Sequence, residues 1–179
     1  GAGRIGRFGV QIDKPKGPPV VAIDVKEERL QFLRDYGADA TFNAKTMGAK
    51  EIRDAIREFA RQKNCPLLEW KIFETSGTTA GQELAFSLLT HGATLSIVGF
   101  TMEKLNLRLS NLMAFHARAL GNWGCLPEHY PAVLDLVLDG SIQIKPFVQN
   151  FPLSAINHVF AEAHAHRLNA RPVLVPDFY

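Results

Sequence analysis

Gly1-Ala2-Gly3-Arg4-Ile5-Gly6-Arg7-Phe8 opens the sequence, and the glycines at positions 1, 3 and 6 decide how the rest is read. In a G-x-G-x-x-G turn at the mouth of a helix, each glycine has a mechanical reason. The first permits the tight turn, the second lets backbone approach a pyrophosphate, and the third lets helix and sheet pack closely, while the helix N-terminus offers free N–H groups to the anion. Alone the motif is weak, because any glycine-rich turn matches it. Working outward, Val20-Val21-Ala22-Ile23 is the continuous apolar run of a buried parallel strand, and it ends on Asp24, 18 residues beyond Gly6. An acid at that spacing accepts hydrogen bonds from the adenosine ribose and repels a 2′-phosphate, which favours NAD over NADP. The alternative on these residues is S-adenosylmethionine, whose binding sheets also end a second strand on an acid but usually with shorter glycine spacing.

Short β-type runs alternate with helical stretches along the chain, the pattern of a parallel sheet with helices on both faces. A first helix is expected from about Arg4 to Lys14 with Ile5, Phe8 and Ile12 on one face, ended by Pro15, Gly17 and Pro18. A helix carrying Leu30 and Leu33 stops at Gly37, Ala40-Thr41-Phe42 is a strand, and Ile52, Ala55, Ile56 and Phe59 mark a helix from about Ala49 to Lys63. Strands at 70–74, 93–98 and 118–121 alternate with helices at 80–90 and 128–138. Ile156, Val159, Phe160 and Ala163 mark a late helix before a strand at 173–175. Leu105, Leu107 and Leu109 alternate with Asn106 and Arg108, which reads as a half-exposed edge strand and a candidate contact with a second subunit. The fold class is α/β, a Rossmann-type doubly wound parallel sheet, forming one domain over residues 1–179 whose last segment, from about 151, packs back toward another lobe.

The fingerprint normally follows the central strand of the sheet, and none precedes it here. In the strand order 3-2-1-4-5-6 that strand lies between those ending at Asp24 and Glu74, so a gap of roughly 9–10 Å is expected between them. The expectation is therefore a piece of a longer protein, or a slot filled by something else.

Composition removes other classes. With 46% hydrophobic and 21% charged residues the 179-residue chain can bury a core, and a net charge of +2 from 20 basic and 18 acidic residues argues against a general nucleic-acid or membrane-surface binder. No apolar stretch is long enough for a membrane helix and no signal region opens the chain, so a cytoplasmic location is expected. Cys65 and Cys125 are the only cysteines, which excludes a disulfide scaffold and a C-x-x-C zinc pair. Cys125 is read as a buried small hydrophobe, with a place lining the substrate cleft as the alternative. His164 and His166, two apart on a helix, point to different faces and do not form a metal pair; His116 and His129 have no evident carboxylate partner.

Asp24-Val25-Lys26-Glu27-Glu28-Arg29-Leu30, Tyr36-Gly37-Ala38-Asp39-Ala40, Glu74-Thr75-Ser76-Gly77 and Val98-Gly99-Phe100 together resemble the cofactor domain of the medium-chain, zinc-type alcohol dehydrogenases over essentially the whole chain. Residues 105–130, with Ser110-Asn111-Leu112-Met113-Ala114-Phe115 and Gly121-Asn122-Trp123-Gly124-Cys125, are similar to the group acting on 6-hydroxycyclohex-1-ene-1-carbonyl-CoA in anaerobic aromatic degradation. The resemblance implies hydride transfer from a secondary alcohol to NAD. By matching position it implies cofactor contacts at Gly1, Gly3, Arg4, Ile5 and Gly6, with Asp24 on the ribose and Arg29 beside it near the adenine. Thr75 and Ser76 would line the cofactor, and Val98, Gly99 and Phe100 would lie by the nicotinamide. Leu120, Gly121 and Asn122 would offer backbone to its carboxamide, and Arg171 would reach the pyrophosphate. The family's zinc ligands and proton relay lie in a lobe not contained in this sequence, so no catalytic or metal-ligating residue is expected here. A homo-oligomer is implied, and Lys104, Arg108 and Arg118 are the cations available to coenzyme A phosphates. The sequence departs from the family at Arg4 and Arg7, where small residues are usual and where cations oppose the helix dipole unless an anion is bound. A short-chain dehydrogenase is excluded because Tyr36 is followed four residues on by Ala40 and Tyr130 by Leu134, not by lysine. The competing class is a nucleotide-binding or oligomerisation module without turnover.

Overall fold

After the glycine turn the backbone forms α1 (Gly6–Asp13), β1 (Val21–Asp24), α2 (Glu27–Asp35), β2 (Ala40–Asn43), α3 (Ala49–Gln62), β3 (Lys71–Glu74), α4 (Thr79–Ser87), β4 (Thr94–Ile97), α5 (Ser110–Ala114) and β5 (Arg118–Gly121). These belong to a unit spanning Gly1–Glu128; a second unit, His129–Tyr179, holds α6 (Tyr130–Leu138), β6 (Val148–Pro152), α7 (Ile156–His164) and β7 (Arg171–Val175). The structure is a computed structural model that describes residues 1–14, 17–165, 167–168 and 170–177.

Every strand pairing in the first unit is parallel. β1 pairs with β2, Val21 opposite Ala40, and β3-β4-β5 form a separate three-stranded sheet with Lys71 opposite Thr94 and Thr94 opposite Arg118. β1 and β3 do not pair with each other, so the break lies where the strand order placed it. The core divides in the same way. Ala2, Val10, Ala22, Leu30, Leu33 and Ala38 form one cluster beside β1, and Ala85, Phe86, Leu89, Ala93 and Leu95 form another beside β4.

Local chemistry explains the element ends. Leu30 and Leu33 are fully buried on α2, which stops before Gly37 at φ +113°, a conformation cheap only for glycine. The Glu51 carboxylate accepts from the Gly48 N–H at 2.7 Å to open α3, and the Thr78 hydroxyl accepts from the Gly81 N–H at 3.1 Å to open α4. On α3, Ile52 is buried and Ala55, Ile56 and Phe59 are partly buried, as their spacing requires.

Four expectations are corrected. On α1 the buried residues are Gly6, Arg7, Val10 and Gln11, whereas Ile5 is 46% exposed and Phe8 and Ile12 are only partly buried; the long stems of Arg7 and Gln11 cover apolar surface in their place. Residues 105–109 make no ladder. Leu105 and Leu107 turn inward without a partner strand and line an apolar cavity, so the alternation reflects an extended segment clamped over a helix and not an edge strand. Cys125 is exposed. Phe160 is 63% exposed while Val159 is buried, so the inward face of α7 is narrower than its apolar spacing suggests. In the second unit β6, which the sequence pattern did not reveal, pairs in parallel with β7. Pro15 and His166 lie outside the described residues.

Truncating Leu33 to alanine is expected to cost about 2–5 kcal/mol, and Ile5→Ala less than about 1 kcal/mol. Urea unfolding of both variants checks this; equal losses would restore the face of α1 expected from the sequence.

Candidate functional site

The glycine turn lies across the break between the two sheets and is tied to both. Asp24, ending β1, accepts the Ala2 N–H on Oδ2 at 2.7 Å and the Lys26 N–H on Oδ1 at 2.9 Å. From the other sheet, the Thr75 hydroxyl just beyond β3 donates to the Gly1 carbonyl at 2.8 Å. Asp24 therefore faces the turn, with its side chain 7% exposed and an Arg29 guanidinium nitrogen 4.0 Å from Oδ1.

The three glycines divide their labour differently from the expected scheme. A Cβ on Gly1 would press on the Ser76 backbone, at 2.9 Å from both N and Cα, and a Cβ on Gly6 would overlap the Gly1 carbonyl oxygen. The third glycine thus lets the helix close on its own turn, against Gly1 and Thr75. Nothing lies within 4 Å of where a Gly3 Cβ would stand, which leaves that face clear for an approaching group. The first backbone hydrogen bond of the helix runs from the Arg7 N–H to the Gly3 carbonyl at 3.2 Å. Among the described residues the amides of Gly3, Arg4, Ile5 and Gly6 find no acceptor, as the orphan donors of a helix mouth do.

Three arginines bear on this turn: Arg4 within it, Arg7 at the start of the helix, and Arg29 beside Asp24. Arg4 is exposed. Arg7 is buried, its Nε 3.4 Å from the Ala2 carbonyl and its guanidinium 5.9 Å from the Phe32 ring centre. Burial and the nearby Arg29 charge hold Arg7 below the ordinary arginine range, with Asp24 opposing. Neither the Arg7 nor the Arg29 guanidinium stands within 4 Å of the Gly3 Cβ position, and a bound anion would relieve the repulsion among these cations.

The remaining candidates in the first unit lie at or beyond the C-terminal ends of β3, β4 and β5, where parallel α/β sheets bind ligands. Ser76 donates both its N–H, at 2.7 Å, and its hydroxyl, at 2.5 Å, to Glu74 Oε1. Val98 is half-buried, Gly99 buried and Phe100 71% exposed. Leu120, Gly121 and Asn122 are exposed; the Asn122 side chain donates to Ser96 Oγ at 2.6 Å and its N–H to the Ile97 carbonyl at 3.1 Å. Gly1 to Gly6, Asp24, Arg29, Thr75 and Ser76 are brought together, with the 98–100 and 120–122 segments on successive strand ends. Arg171 is an exposed residue of β7, in the second unit. Sequence reading missed Glu74 and Gln82, whose amide donates to the Gly99 carbonyl at 2.9 Å. An acid ending an apolar strand just before Thr-Ser-Gly was the available signal for Glu74.

The residues present fit a dinucleotide: a clear glycine, unpaired amides at a helix mouth, flanking cations and a carboxylate turned toward them. Among the described residues no group of three His, Cys, Asp or Glu side chains converges to hold a metal ion, and no helix is long and apolar enough to cross a membrane.

Asp24→Ala leaves the buried Ala2 amide without its acceptor and is expected to lower stability by about 1–3 kcal/mol. Thermal and urea unfolding measure it, and an unchanged midpoint would show that the turn is held by other means.

Comparison with known proteins agrees with this geometry. The family model described as "Zinc-binding dehydrogenase" matches residues 5–139. An alcohol dehydrogenase of Geobacillus stearothermophilus is 25% identical over 177 residues, covering 99% of this chain and 49% of that protein. Galactitol 1-phosphate 5-dehydrogenase of Escherichia coli strain K12 is 29% identical over 127 residues, 69% of this chain and 35% of the enzyme. Among solved structures, an alcohol dehydrogenase from Thermotoga maritima superposes with a TM-score of 0.87 at 22% identity, covering 99% of this chain and 48% of that one. The chain thus spans half or less of the length of the relatives it matches, and it belongs to the zinc-binding dehydrogenase family.

Proposed function

We infer that this chain is the NAD-binding portion of a cytoplasmic dehydrogenase that oxidises a secondary alcohol. The observation that carries the reading is the helix mouth: four amides without a protein acceptor beside an uncovered Gly3, with Asp24 turned toward the same turn. When bound, NAD supplies the hydride acceptor, and the protein supplies orientation and electrostatics. In this reading the amides of Gly3, Arg4, Ile5 and Gly6 hold the pyrophosphate, with Gly1 shaping the turn. Asp24 accepts from the adenosine ribose, and Arg29 flanks it beside the adenine. Thr75 and Ser76 line the path of the cofactor, Val98, Gly99 and Phe100 flank the nicotinamide, and Leu120, Gly121 and Asn122 present backbone to its carboxamide. In this reading any zinc and the proton relay belong to a lobe outside these residues.

Asp24 carries the preference for NAD over NADP, because a 2′-phosphate would set like charges close together in a low-exposure site. NADP occurs in one solved neighbour, a zinc-binding dehydrogenase from Sinorhizobium meliloti that is 19% identical, so the preference rests on Asp24 itself. Titration of the purified chain with NADH, followed by nucleotide fluorescence, is expected to give binding at least tenfold tighter than NADPH and no competition by S-adenosylmethionine. Preference for NADPH or S-adenosylmethionine contradicts the assignment of Asp24.

The finer proposal is an alicyclic hydroxyacyl-CoA of the 6-hydroxycyclohex-1-ene-1-carbonyl type as substrate. It is supported by the resemblance of residues 105–130 and by the exposure of Lys104, Arg108 and Arg118, which leaves these cations available to coenzyme A phosphates. A homo-oligomer is proposed through the segment 105–109, whose exposed Asn106 and Leu109 would meet a second copy without a strand ladder. In the whole enzyme, NAD reduction with such a thioester is expected to exceed that with galactitol 1-phosphate or a simple secondary alcohol by tenfold or more. The reverse order overturns the substrate proposal and leaves the cofactor reading standing.

A further inference from the structure

Glu74 is the most buried carboxylate described near the site, 3% exposed, and its side chain makes no ion pair among the described residues. Burying an unpaired carboxylate is costly unless several donors converge on it. Here they do, and all are neutral. Oε1 takes the Ser76 N–H at 2.7 Å and the Ser76 hydroxyl at 2.5 Å, and Oε2 takes the Gly77 N–H at 3.3 Å. The Glu74 backbone carbonyl receives the N–H groups of Val98 and Gly99, both at 2.9 Å. One residue therefore ties the loop after β3 to the loop after β4.

Both glycines at the crossing are required by that closeness. A Cβ on Gly99 would run into the Gly77 amide and Glu74 Oε2, and one on Gly77, at φ +65°, would stand 2.7 Å from the Phe100 carbonyl. Gln82 closes the arrangement from α4 by donating to the Gly99 carbonyl at 2.9 Å. Glu74 and Gln82 are the polar residues on the wall of the cavity of about 190 Å³ that is otherwise lined by Leu, Ile, Phe and Ala side chains. Few polar partners there would hold a water able to stand in for a lost acceptor.

We propose that Glu74 is a positioning residue for the nicotinamide half of the cofactor, with Gln82 as its support. Its backbone carbonyl holds the Val98 and Gly99 amides, and its carboxylate holds Ser76 and Gly77 where they cross Gly99, so the side chain sets the 76–77 turn against the 98–100 segment without itself touching the ligand. The inference rests on the dinucleotide reading above. It predicts a divided effect: the pyrophosphate and adenosine contacts, held by the glycine turn and Asp24, stay intact while those beside the crossing of the 76–77 turn and the 98–100 segment slacken.

The test compares NADH with ADP-ribose, which lacks the nicotinamide, on the purified chain by calorimetry. Glu74→Gln keeps the shape but replaces one acceptor oxygen by a donor, so one of the converging N–H or O–H groups is opposed. The expected result is NADH binding weakened about tenfold with ADP-ribose binding changed less than about twofold. Gln82→Met, which removes only the Gly99 tether, should show the same division to a smaller degree, and it decides the matter if Glu74→Gln does not fold. Equal weakening of both ligands, or unchanged NADH binding, overturns the positioning role alone. Failure of the unmodified chain to bind either ligand overturns the dinucleotide reading and this inference with it.

Discussion

Unpaired backbone amides at the mouth of α1 are the constraint on which the rest of the molecule depends. They stay unpaired because the turn before them is held from two sides by groups that are not its own. Asp24 belongs to a two-stranded sheet and Thr75 follows a strand of a separate three-stranded sheet. Each bond is worth only about 0.5–1.5 kcal/mol net, yet together they bridge a break that no strand ladder crosses. The same two bonds that tie the turn to both sheets leave the amides of Gly3 to Gly6 open.

A common device recurs at the sheet's C-terminal edge. Asp24 and Glu74 each end a parallel strand and collect N–H groups, Asp24 from Ala2 of the glycine turn and Lys26 beyond β1, Glu74 from Ser76 and Gly77 beyond β3. Strand-end acids of this kind convert flexible loops into fixed walls at modest cost, because every donor they collect is one that the loop would otherwise leave unmet. The cations follow a complementary logic. Burial and Arg29 both oppose the charge on Arg7, and a bound anion would relieve that repulsion.

Much of this was legible in the sequence for identifiable reasons. The apolar run at 20–23 ending on Asp24, the spacing of Ile52, Ala55, Ile56 and Phe59, and the break between the strands ending at Asp24 and Glu74 all follow from short-range periodicity and strand order. Local pattern failed where a long polar side chain took an apolar place. Arg7 and Gln11 face inward on α1, and their stems hide surface that Ile5 and Phe8 were expected to cover. The leucines at 105 and 107 show the complementary failure: alternation reports which side chains turn inward, not whether a neighbour strand exists to complete a ladder. Glu74 was missed because a buried acid is defined by donors from residues 76 and 77, and its second loop lies more than 20 residues onward.

The central claim is that the mouth of α1 receives a dinucleotide pyrophosphate. Backbone amide NMR of the labelled chain during addition of NADH tests it most directly. The account predicts that the signals of Gly3, Arg4, Ile5 and Gly6 move farthest and downfield, as N–H groups do on meeting a phosphate oxygen. Saturable shifts confined to other segments, with these four unmoved, would contradict it.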